Sequence, residues 1–205
     1  SIGGSCYVID ESGVLYEWGE NPGGVYSPLP TKLLSNVKSV YGSFSGAWRF
    51  ALTNDGDLYT WGSNLSQSNY QYISAPVKIL DHVVKVSGEE GGSSIAALTE
   101  DGHLYTWGMN EVGQLGDGST EERLTPQIVL DNVADVYAGT TSYAMTADGS
   151  MLWWGYQGED SGADGQESQS YSTVPQLFFE GITSICTYTN DSDIGSANAG
   201  YANAF

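Results

Sequence analysis

Short stretches of alternating hydrophobic and polar residues recur along this chain, and each follows a two-residue turn signal. The turn is Asp-Gly in three copies and Ser-Gly in the first, and every stretch ends in Trp-Gly. Asp-Gly favours tight β-hairpins because both residues tolerate a positive φ, and a period of two is typical of a strand. The aligned segments are Ser12-Gly-Val-Leu-Tyr-Glu-Trp-Gly19, Asp55-Gly-Asp-Leu-Tyr-Thr-Trp-Gly62, Asp101-Gly-His-Leu-Tyr-Thr-Trp-Gly108 and Asp148-Gly-Ser-Met-Leu-Trp-Trp-Gly155.

A second short apolar segment precedes each turn, so that each unit reads as strand, turn and strand. These segments are Cys6-Tyr-Val-Ile9, Arg49-Phe-Ala-Leu52, Ile95-Ala-Ala-Leu98 and Ser142-Tyr-Ala-Met145. The repeated tryptophans are separated by 43, 46 and 47 residues, a period found in propeller blades and in arrays of paired helices. The hairpins favour the blades. Because they recur, the tryptophans expected in the core are Trp18, Trp61, Trp107 and Trp154.

Prolines give the repeat a third landmark. Each of four prolines is followed ten residues later by an aliphatic residue, whereas the spacing from Trp to Pro grows through 12, 15, 19 and 21 residues. Constant spacing indicates packed strands, and variable spacing indicates a surface loop that tolerates insertions. Binding specificity is therefore expected in the Trp-to-Pro loops. The pairs are Pro30 with Val40, Pro76 with Val86, Pro126 with Val136, and Pro175 with Ile185.

Composition narrows the classes of partner. The net charge is −19, with only six Lys and Arg residues, whereas nucleic acids and anionic membranes attract basic surfaces. We therefore expect no nucleic-acid partner. No run of about 18 to 20 apolar residues is present, so no membrane span is expected. Hydrophobic residues make up 40% of the chain, enough for a folded core.

The third unit closely resembles the repeat of the regulator of chromosome condensation family. It reads Asp101-Gly-His-Leu-Tyr-Thr-Trp-Gly-Met-Asn-Glu-Val-Gly-Gln-Leu-Gly-Asp-Gly118. The resemblance implies an all-β fold, a β-propeller of four such blades. The second unit has Ser66-Gln-Ser-Asn69 in place of Gly-Gln-Leu-Gly, and the fourth has an acidic stretch at 158–165. Because these loop segments differ from the family pattern, the functional residues of the family cannot be assigned to positions in this chain.

We predict one repeat domain, residues 1–188, followed by a tail or the start of a further repeat at 189–205. The strand at 182–188 completes the first unit and closes a four-blade ring, or the chain is part of a larger propeller or one shared by two chains as a homodimer. Ring closure brings Cys6 and Cys186 together as a disulfide, which an oxidising compartment would favour; the alternative is two unpaired thiols. The four units span about 3–34, 35–80, 81–130 and 131–181.

Catalytic chemistry is not indicated. His82 falls at a turn position and His103 within a hairpin, and no nucleophile or phosphate-binding motif is present. Cysteine and histidine spacing does not fit zinc, and no cofactor is predicted. Calcium needs only clustered oxygens, and the weak candidates are Glu159, Asp160, Asp164 and Glu167.

The predicted function is a non-enzymatic protein-binding module that uses the propeller-face loops. Lean use of basic residues favours a secreted or surface-displayed bacterial protein, with the cytoplasm as the alternative location. The alternative functions are a carbohydrate- or calcium-binding propeller, and the exchange factor for a small GTPase that the family resemblance implies. Exposed aromatic residues commonly anchor interfaces, and the predicted contacts are Trp48, Tyr70, Tyr72, Glu121, Glu122, Asp160 and Tyr171.

Overall fold

The computed structural model describes residues 4–20, 26–42, 48–63, 72–88, 94–161 and 167–183, and within these ranges the regular elements are β-strands. No helix in this part of the chain is long and apolar enough to cross a membrane. The strands are β1 (Ser5–Ile9), β2 (Leu15–Glu20), β3 (Tyr26–Leu34), β4 (Val37–Gly42), β5 (Trp48–Thr53), β6 (Leu58–Ser63), β7 (Tyr72–Leu80), β8 (Val83–Ser87), β9 (Ser94–Thr99), β10 (Leu104–Gly108), β11 (Arg123–Leu130), β12 (Val133–Tyr137), β13 (Thr141–Thr146), β14 (Met151–Ser161) and β15 (Glu167–Phe179).

These strands form four antiparallel sheets in chain order. The first sheet contains β1–β3, the second β4–β7, the third β8–β11 and the fourth β12–β15. The predicted hairpins are confirmed, and they share one register. The repeated tryptophan always faces the equivalent residue of the preceding strand: Cys6 opposite Trp18, Arg49 opposite Trp61, Ile95 opposite Trp107, and Ser142 opposite Trp154.

One connection joins each sheet to the next. Asn36, His82 and Asn132 take positive φ angles of 62°, 55° and 60°, a left-handed conformation in which Asn and His are enriched. The following residue then donates its N–H to the hairpin glycine of the preceding sheet. These bonds are Val37 N to Gly13 O at 2.8 Å, Val83 N to Gly56 O at 2.8 Å, and Val133 N to Gly102 O at 2.9 Å.

The chain leaves the fourth sheet through the same connection. Gly181 has a φ of 74°, and Ile182 N donates to Gly149 O at 2.9 Å. Ile182 is thus equivalent to the residues that start β4, β8 and β12, namely Val37, Val83 and Val133. Residues 184–205, including Cys186, lie outside the described residues, so ring closure and the disulfide stay predictions. Cys6 is half-buried in β1.

Three apolar clusters lie between consecutive sheets. Leu15 packs with Val37, Ala51 and Trp61 between the first and second sheets. The second and third sheets bury Phe50 and Trp107, among others. The third and fourth bury a further set: Ala96, Leu98, Leu104, Val133, Val136, Ala138, Ala144 and Trp154. The sheets therefore pack face to face in the order of the chain.

Burial separates two inner sheets from two end sheets. Every residue of β5 and of β9 is buried, because a sheet lies on each side. In β1 and β13 burial falls off on one face: Val8 is 47% exposed, and Tyr143 is only partly buried. Trp18, on the first sheet, is likewise partly buried. The outer faces of the first and fourth sheets are thus incompletely covered.

The acidic stretch of the fourth unit differs from the sequence-based expectation of a loop. β14 continues to Ser161 and pairs with β15, with Tyr156 opposite Tyr171 and Asp160 opposite Ser168. The returning stretch Glu167-Ser-Gln-Ser-Tyr-Ser-Thr173 contains Tyr and Thr, which favour strands. The fourth unit therefore extends its hairpin where the other units have loops or residues that are not described.

Candidate protein-binding surface

The last strand of each sheet carries, at or near its start, a residue at one shared register position, and we call these four residues the outer-strand row. Register places Tyr26 opposite Glu20, Tyr72 opposite Ser63, and Tyr171 opposite Tyr156. In the third sheet Arg123 pairs with Gly108. Glu122, the residue before Arg123, is therefore the equivalent of these tyrosines. The row consists of Tyr26, Tyr72, Glu122 and Tyr171.

Three of the predicted contacts therefore fall at the same position of three different sheets. Tyr72, Glu122 and Tyr171 each lie four residues before the proline of their unit. The structure places them at one edge of successive sheets, on the side where the Trp-to-Pro segments connect the strands. The common spacing from proline explains why they coincide.

Sequence reasoning missed the fourth member of the row. Tyr26 lies four residues before Pro30, as Tyr72 does before Pro76, and the same spacing would have found it. Its side chain is the most exposed of the three tyrosines at 70%, against 37% for Tyr72 and 46% for Tyr171. Exposed tyrosines supply large contact area with a polar tip, which is typical of interface anchors.

The third sheet holds its part of the surface through a buried asparagine. Asn110 is 1% exposed, and its side-chain amide donates to Ser119 O at 2.9 Å and to Glu121 O at 3.1 Å. Its Oδ1 accepts the N–H of Leu115 at 3.0 Å. These bonds fix the loop that carries Glu121 and Glu122, so the two carboxylates are presented from an ordered backbone.

Asp117 supports the same loop. It accepts from Arg123 Nε at 2.7 Å and from Ser119 N at 3.0 Å. Partial burial raises the pKa of this carboxyl, but the hydrogen bonds from Ser119 and Arg123 outweigh burial and hold the pKa below its usual value. Asp117 is therefore ionised at neutral pH, and the charge of Arg123 is neutralised beside Glu122.

Most basic side chains form ion pairs within the protein or are buried. Lys78 pairs with Asp57 at 2.7 Å and Asp81 at 2.9 Å, and Lys85 pairs with Asp135. Arg49 is fully buried, with its guanidinium 5.4 Å from the centre of the Tyr7 ring. Together with Arg123 these are four of the six basic residues. The surface offered to a partner is accordingly acidic.

Trp48 is not the exposed contact that the sequence suggested. It is 9% exposed and packs edge-on against Phe50, with ring centres 4.9 Å apart. Its position lies in β5, and the third sheet covers that face. A tryptophan at this position is therefore buried between sheets.

The remaining predicted contacts and the calcium candidates do not form a site among the side chains that the structure describes. Tyr70 and Asp164 lie outside the described residues, and Glu159, Asp160 and Glu167 lie in the paired strands β14 and β15. Where side chains are described, no group of three or more His, Cys, Asp or Glu could hold a metal ion. Calcium binding at this hairpin stays a prediction.

Both histidines lie at the opposite edge, near the hairpin turns. His82 Nδ1 is 3.0 Å from Glu100, and His103 Nδ1 is 2.9 Å from Asp101. All four side chains are more than one-third exposed. The pairs belong to surface turns, away from the outer-strand row.

Comparison with known proteins agrees with this architecture. The family model of the regulator of chromosome condensation (RCC1) repeat matches residues 101–144, and a second RCC1 repeat model matches residues 83–114. A search of curated protein sequences finds no relative.

Solved propellers of this type have similar backbones. Yeast RCC1 (Prp20), in a crystal structure with Kap60, superposes with a TM-score of 0.60 at 17% identity, over 86% of this chain and 48% of the yeast chain. Human WBSCR16 gives a TM-score of 0.60 at 20% identity, over 85% of this chain and 49% of the human chain. A second structure of Prp20p from Saccharomyces cerevisiae gives 0.58 at 16%, over 86% and 50%.

The chain thus spans about half the length of the solved structures that it matches. The two repeat models match strands of the third and fourth sheets. Residues 83–144 match RCC1 repeat models, and the four sheets have the fold of RCC1-type propellers, so that they are blades of a β-propeller.

Proposed function

We propose that this protein is a protein–protein interaction module that binds its partner through the outer-strand row and the segments beside it. The observation that carries the proposal is the recurrence of an exposed Tyr or a Glu at one register position in all four blades. Regularly spaced anchors of this kind suit an extended protein surface better than a single small molecule.

Charge favours a basic partner. The net charge is −19, and four of the six basic side chains are paired or buried. Electrostatic attraction would speed association with a basic surface and would weaken as salt rises. The yeast relative has been crystallised with Kap60 and studied for its binding to Gsp1p and histones, which provides a precedent for protein binding by this fold.

Site-specific cross-linking tests the proposal. A photoreactive amino acid is placed at Tyr26, Tyr72 or Tyr171, and the protein is irradiated in extract. We expect partner adducts from these positions that diminish at high salt. Matched positions on the turn edge, Ser12 and Asp148, should give few. Equal yields from both edges would contradict the proposed surface.

Alanine substitutions then measure the contribution of each anchor. With the identified partner, Tyr72→Ala and Tyr171→Ala should each weaken binding about tenfold, which corresponds to about 1.4 kcal/mol. Ser12→Ala serves as the control and should leave the dissociation constant unchanged. Full affinity in both tyrosine variants would exclude the row as the binding surface.

A further inference from the structure

We draw no further inference here: the strongest candidate, the exposed Phe178–Phe179 pair on the outer face of the fourth blade, whose counterparts in the other three blades pack against the following sheet, is an apolar face, and nothing in the described residues shows what covers it.

Discussion

The third and fourth blades carry the same hairpin in the same register, yet they are buried differently. In β9 all six residues are buried, whereas β13 buries only Ser142 and Ala144, which face the third blade. The difference arises from neighbours, because the third blade has a sheet on each side. Burial in a repeat protein therefore depends on a unit's place in the array as much as on its own pattern.

The first blade shows the same effect at the other end. Tyr7 and Ile9 pack toward the second blade, while Val8 is largely exposed on the other face. Each end of the described array thus offers a strand face that a further sheet, or a second copy of the chain, would cover. Closure within one chain and the shared ring both stay predictions, and sedimentation with a thiol count on unreduced protein distinguishes them.

The largest expected effect comes from one repeat position compared in an inner and an end blade. Leu98 is 4% exposed between two sheets, and Met145 is its partly buried equivalent. We expect Leu98→Ala to lower the free energy of unfolding by about 2 to 5 kcal/mol. Met145→Ala should cost less than half as much. Urea denaturation measures both, and equal losses would show that the end face is covered in solution.

The next effect concerns the loop that covers one face of the end blade. Asp117→Asn removes charge-assisted hydrogen bonds from Ser119 and Arg123, at an expected cost of about 1 to 3 kcal/mol at neutral pH. The folded pKa of Asp117 is lowered. Its contribution is therefore present above the unfolded pKa of about 3.9 and is lost as pH falls through the folded pKa.

Denaturation of the two proteins across pH measures that contribution. The difference between wild type and Asp117→Asn should be constant near neutral pH and should shrink below about pH 4. A difference that grew on acidification would contradict the assignment.

A smaller effect isolates one hydrogen bond at two blade boundaries. Trp154 Nε1 donates to Gln114 O, whereas Trp61 Nε1 is buried without an acceptor in the described residues. Trp154→Phe and Trp61→Phe remove similar ring volume. Trp154→Phe should therefore cost about 1 kcal/mol more in the free energy of unfolding. Equal costs would indicate that Trp61 finds an acceptor in solution.

The smallest effect is expected on the incompletely covered face of the first blade. Val8→Thr keeps the branched side chain and changes stability by no more than about 0.5 kcal/mol, since the site is half-exposed. Thermal denaturation with Ala51→Thr as the buried comparison provides the measurement. A cost for Val8→Thr that matched the buried substitution would indicate that another surface packs there.

Much of the architecture follows from the sequence because hairpin geometry is local. The Asp-Gly turns and the alternating strands fix the register of each blade. The Trp-to-Pro loops predict contacts at Tyr72, Glu122 and Tyr171, and their shared spacing of four residues to the proline would have placed them at equivalent positions. These signals need no knowledge of distant residues. The same rule would have added Tyr26.

What sequence reasoning missed depends on neighbours far along the chain. Trp48 looked like an exposed contact because it replaces small residues in the other units, but the third blade covers it. The long β14–β15 hairpin looked like a loop because the spacing from Trp to Pro varies between the units, and the pairing with the returning strand was not visible. In both cases the residues were interpreted without their packing or pairing partners.

The connection between blades has a consequence for how such chains change length. Every junction uses one left-handed residue and one N–H donated back to a hairpin glycine, at Val37, Val83, Val133 and Ile182. Duplicating or deleting a whole unit between two junctions would recreate the same bond on both sides. A change in length by recombination of whole blades would therefore keep the hydrogen bond at every junction.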